Sequence, residues 1–255
     1  MKYYFKKVTQ LIVLIGIFTY QSCSTDDGTT TPIITDPVNT ELITKRNEQT
    51  ANHIAVYGTS TVSQESYDRV YADIKSVMDK MDDGIRQGML NANAKMLVVQ
   101  NEEELESNIN YFMTFLPTES IYTNNGGTDE SLPSSTGVGL SNTKLELMYL
   151  CVYYSLLTES NLTAEYDELK KAYEEAVSAN IFAPAAAYVD GFVDDIHQNA
   201  SDNNALKYGS YLFNLYKLYF GNDSGQAGEF TITTKAQLQA QNPLGYNFIS
   251  TYFNL

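Results

Sequence analysis

In 255 residues the chain sets 31 Asp and Glu against 16 Lys and Arg, a formal net charge of −15, with two cysteines, two histidines and no tryptophan. Such an excess of acid is repelled by nucleic acid and by anionic lipid, so neither is an expected partner through a basic surface. Two histidines leave few ways to build an imidazole-based site, and no Gly-x-Ser-x-Gly elbow, phosphate loop or dinucleotide fingerprint occurs.

The N-terminus MKYYFKK carries Lys2, Lys6 and Lys7, then VTQLIVLIGIFTY is apolar, then QSC ends at Cys23. Charged, apolar and cleavage regions in that order predict a signal peptide over residues 1–22, and the apolar run from Leu11 to Tyr20 is short for a membrane span, which needs about 20 residues. A cysteine directly after the cleavage point resembles the lipobox of bacterial lipoproteins, whose thiol is acylated to become the new N-terminus. Asp26-Asp27 just behind it resembles the surface-export signal of lipoproteins from the Bacteroidetes. The expected address is therefore the outer membrane or cell surface, held through lipid on Cys23. Cleavage removes three lysines and no acid, so 13 basic residues face 31 acidic ones and the mature net charge is −18. In residues 23–50, Cys23 is followed by STDDGTTTPIITDPVNT, rich in Ser, Thr, Asp and Pro with little to bury, and the segment reads as a flexible tether. With Cys23 acylated, Cys151 has no partner for an intrachain disulfide and reads as a small core residue.

Residues 51–255 read as one globular domain, long enough for a substantial core. HIAVYG (53–58) and KMLVVQ (95–100) are apolar runs bounded by turn formers and predict short buried strands. Between them SQESYDRVYADIKSVMDKM begins at Ser63, a favourable N-cap, and places Tyr67, Val70, Ile74, Val77 and Met81 at helical spacing. NEEELESNINYF predicts a helix with an acidic first turn, and 118–139 a long polar loop. LELMYLCVYYSLL, Leu145 to Leu157, is apolar on almost every side, as a buried helix is. TAEYDELKKAYEEAVSA, AAAYVDGFVDDIHQ and ALKYGSYLFNLYKLYF predict further helices, and Thr234 opens the last with a capping box to Gln237. The fold class is α+β and mainly α-helical, a small sheet in the N-terminal half followed by a helical C-terminal half.

The order of these pieces resembles the anthrax lethal factor-like metallopeptidase domain, a zincin. IAVYGTSTVSQESYDRVYADIKSVMDKM is similar to its opening strand and helix. DELKKAYEEAVSANIF followed by AYVDGFVDDI looks like its amphipathic helix, loop and E-[YF]-[FW]-A-E helix. TITTKAQLQAQNPLGYNFISTYF is similar to its closing segment. In active relatives the helix before the DELKKAYEEA segment carries His-Glu-x-x-His, since side chains at i and i+4 share a face and both imidazoles reach one zinc, while the Glu is general base on the zinc-bound water. The resemblance puts Cys151, Val152 and Ser155 at those three positions. Asp190 falls on the family's third, acidic ligand with Asp194 one turn on, and Ala183 stands where relatives have an oxyanion-stabilising tyrosine, with Tyr188 nearby.

One surviving carboxylate does not make a zinc site. The resemblance therefore implies an inactive domain with no cofactor, which binds a peptide or protein partner in the old groove between the 145–157 helix and the 185–198 helix, with Asp190, Asp194 and Tyr188 as polar contacts. Two alternatives stand beside it. An active metallopeptidase would need a rebuilt site such as Cys151, Asp190 and His197. A glycan-binding lipoprotein would present the tyrosines of SYLFNLYKLYF as a platform, against the plainer reading of Leu212, Leu215, Tyr216 and Tyr219 as a core stripe. Asp82-Asp83 and Asp190, Asp194 and Asp195 match no calcium loop and read as a solvated acidic face.

Overall fold

The computed structural model describes residues 42–100, 139–183, 200–221 and 230–253, with short stretches between 104 and 124. Four strands form one sheet in the order β1 (Ile43–Asn47), β2 (Ala55–Thr59), β3 (Lys95–Val98), β4 (Tyr122–Asn124). β1 runs antiparallel to β2, whereas β2 with β3 and β3 with β4 are parallel. Ile54, Val56, Met96 and Val98 face the main core, and Ala55, Tyr57, Leu97 and Val99 face a second cluster with Ile43. Burial on both faces is why β2 and β3 read as continuous apolar runs and not as alternating ones.

β1 corrects the expected boundary, because it lies inside the segment read as tether, 23–50, and the folded part starts ahead of residue 51. ITKRN is polar and buries only Ile43 fully, as an edge strand can, and such a strand is hard to tell from a linker by composition.

Between β2 and β3 lie α1 (Gln64–Met78) and α2 (Asp83–Asn91). Ser63 caps α1 as its spacing predicted, its Oγ accepting from Ser66 N at 3.0 Å. The α1 face of Tyr67, Val70, Ile74 and Val77 is buried, and Tyr67 Oη donates to the Val56 carbonyl at 2.8 Å, fastening the helix to β2. α2 starts at an Asp82 cap, which accepts from Gly84 N at 2.8 Å.

The helical half comprises α3 (Gly139–Cys151), a π-helical turn (Val152–Leu156), a 3-10 turn (Ser160–Leu162), α4 (Thr163–Ser178), α5 (Ala200–Phe220), α6 (Lys235–Gln241) and α7 (Pro243–Tyr252). α3 and α5 form the spine, and Gly209 of α5 permits the closest approach: a Cβ there would stand 2.2 Å from the Tyr149 ring. Thr234 and Gln237 form the expected capping box. Asn242 separates α6 from α7 and is fully buried. Its Nδ2 donates to the Ala172 carbonyl at 3.0 Å and to Glu175 Oε2 at 2.7 Å, while Tyr211 Oη donates to its Oδ1 at 2.5 Å. Leu244 N also donates to Glu175 Oε2 at 3.0 Å, so one carboxylate holds the start of α7. The architecture is α+β and mainly helical, with the sheet in the N-terminal half.

Candidate functional site

The three positions that the resemblance equates with a zinc motif fall where α3 gives way to the π-helical turn. Leu157 N donates to the Val152 carbonyl at 2.9 Å, the i to i+5 bond that widens the helix by one residue. Cys151, Val152 and Ser155 all have no exposed surface. Burial pushes the Cys151 thiol up to about 12, because a thiolate there would lose its hydration. Val152 offers no proton acceptor. Ser155 Oγ donates to the Ile85 carbonyl of α2 at 2.6 Å. A zinc ion needs deprotonated or lone-pair donors turned toward one point; a protonated thiol, an isopropyl group and a hydroxyl bonded to a helix carbonyl do not fit it.

The neighbour on this side is α2. A Cβ at Gly88 would lie 2.7 Å from Ser155 Oγ, 2.9 Å from its Cβ and 3.0 Å from its Cα. The two backbones are therefore as close as the absence of a side chain allows, and an imidazole at 155 has no room on that side. α2 is not among the helices that the sequence pattern predicted. DDGIRQGMLN, with its two glycines, has a weak propensity signal, and its apolar Ile85, Met89 and Leu90 are the trace that could have revealed it.

Of the remaining residues singled out from the sequence, Cys23, Tyr188, Asp190, Asp194, Asp195 and His197 lie outside the described residues, as does the predicted 185–198 helix, so the expected groove has only one described wall. Ala183 is described and exposed. His53 is engaged locally: Nε2 stands 2.7 Å from Asp79 Oδ1 and Nδ1 3.4 Å from Thr50 Oγ1. The aromatic run on α5 is largely core: Tyr211, Phe213, Tyr216 and Tyr219 are buried and Phe220 is half-buried against them.

A polar constellation that the sequence reading missed lies at the carboxyl ends of β2 and β3. Glu104 Oε2 accepts from buried Thr59 Oγ1 at 3.1 Å and from Gln100 N at 2.6 Å, and its Oε1 from Thr61 Oγ1 at 2.5 Å. The carboxyl edge of parallel strands is where open α/β sheets bind ligands. Here the three donors converge on the chain's own carboxylate and bracket the loop after β2 against the segment after β3. Among the described residues no three His, Cys, Asp or Glu side chains gather where they could hold a metal ion. No described helix is long and apolar enough to cross a membrane. No family model matches the chain, and no curated protein and no solved structure matches it.

Proposed function

We propose that the chain is a lipid-anchored cell-surface lipoprotein whose domain is related to the lethal factor-like metallopeptidases and binds a peptide or protein partner without cleaving it. The observation that carries the non-catalytic reading is the state of the 151–155 segment. The position of the general base is a buried valine, and the two ligand positions hold a protonated thiol and a hydroxyl bonded to a helix carbonyl. Without a base or a Lewis acid the segment cannot activate water. Attachment rests on the lipobox-like sequence ending at Cys23; an acidic chain needs a lipid anchor, since charge would repel it from an anionic membrane. Asp190, Asp194 and Tyr188 are the residues assigned to polar contacts with the ligand.

The test uses the full chain purified from membranes with detergent. After exposure to a tryptic peptide mixture, peptides co-eluting with the protein should be recovered at their original masses, unaffected by a chelator, and with less than one tenth of a zinc per chain by elemental analysis. Asp190→Ala should release them without changing the thermal midpoint. Recovery of shortened peptides, lost on chelation, would overturn the reading in favour of an active peptidase. Incorporation of labelled fatty acid that is abolished by Cys23→Ser tests the anchor separately.

A further inference from the structure

We infer that the helix face carrying residues 151 and 155 is closed to any ligand, buried within the fold and packed at Ser155 against α2, so that on the proposed reading access to the site is gone together with its donors. Three observations meet on this point. Ser155 Oγ and the Ile85 carbonyl are 2.6 Å apart, a bond that ties the side chain at 155 to the backbone of α2. Gly88 lies against Ser155 so closely that even a methyl group would meet its Cα at 3.0 Å. Ile85, Met89, Cys151, Val152 and Ser155 are without exposed surface, so the contact is filled on both sides. Beside Ser155 there is no open cleft but a second helix backbone. The wall that the 151–155 segment presents to a ligand in the proposed function is then a different face, and restoring histidines at 151 and 155 does not restore a site.

This inference rests on the proposed reading only for where a ligand would lie, and the experiment separates the two. Ser155→Cys changes one atom and creates a pair of thiols at i and i+4, the spacing that holds a soft metal ion when both groups face open space. In the native full chain this variant should titrate no more thiols with a small disulfide reagent than the unsubstituted chain, and one more in guanidinium. Cadmium should produce no thiolate charge-transfer absorption beyond that of the unsubstituted chain. A second native thiol, or a cadmium band, means that the face is open and refutes the inference, whether or not peptide is bound. If the variant does not fold, amide exchange of the unsubstituted chain decides: protection of residues 85–90 and 152–157 at the level of global unfolding is expected, and exchange at least a hundredfold faster than that of α5 overturns the closure.

Discussion

Replacing Gly88 by alanine measures how tightly α2 sits on the π-helical turn. On an unopposed helix surface the change gains about 1 kcal/mol, since alanine is the better helix former. Here the new methyl would stand 2.7 Å from Ser155 Oγ, 2.9 Å from its Cβ and 3.0 Å from its Cα. The hydroxyl can rotate away, but Cβ and Cα move only with the helix backbone. Forcing the two elements apart costs about 2–3 kcal/mol, as overpacking of a filled core does, and lengthening the 2.6 Å bond from Ser155 to the Ile85 carbonyl costs about 1 kcal/mol more. The net expectation is a loss of about 2–3 kcal/mol. Gly84, on the same helix, is the internal control. A Cβ there meets Asp82 Oδ1, the cap atom, at 3.1 Å and Leu162 Cδ2 at 3.5 Å, both on side chains, so Gly84→Ala should change stability by less than about 0.5 kcal/mol either way. Urea unfolding at neutral pH, read as a shift of midpoint at constant slope, distinguishes the pair. If Gly88→Ala is as stable as Gly84→Ala, the close contact between α2 and the turn does not exist and the face at Ser155 is open.

Alkaline pH probes the same region through Cys151. Its thiol is raised from 9.0 to about 12 in the folded chain, so its contribution is intact below pH 9 and is lost as pH rises toward 12. Between pH 7 and 10 that is a loss of about 1.4 kcal/mol which Cys151→Ala should not show; equal pH slopes for the two chains would mean a hydrated thiol. Tyr211→Phe removes the donor to Asn242 Oδ1 in a buried network and should cost about 1–3 kcal/mol, with faster amide exchange in α7 as the local readout. No change in α7 would mean that Glu175 alone holds it. Ser63→Ala removes the cap of α1 and should cost about 1 kcal/mol in the same urea assay; an unchanged midpoint would show that tertiary packing of Tyr67 and Val70 sets the helix start.

Local chemistry was legible wherever a residue acts on its own neighbours. The caps at Ser63 and Thr234 are of this kind, as are the apolar runs of β2 and β3 and the stripe of Leu212, Leu215, Tyr216 and Tyr219, because hydrogen bonds and burial at short sequence separation leave a pattern in the letters themselves. β1 was hidden because an edge strand with one partner needs few apolar residues, and α2 because its glycines lower its propensity. The division of the tail at Asn242 was hidden too, since the bonds that hold it reach Ala172 and Glu175, 70 and 67 residues away.

The amino-acid sequence alone determined which side chains stand at 151, 152 and 155, and therefore that no His-Glu-x-x-His pattern lies there. Which way those residues face, and that Gly88 and the Ile85 carbonyl fill the space before them, was decided only by tertiary structure. The reason is physical: the partner of Ser155 is a backbone atom 70 positions away, and a main-chain carbonyl is present at every residue, so nothing in the identity of Ile85 announces it.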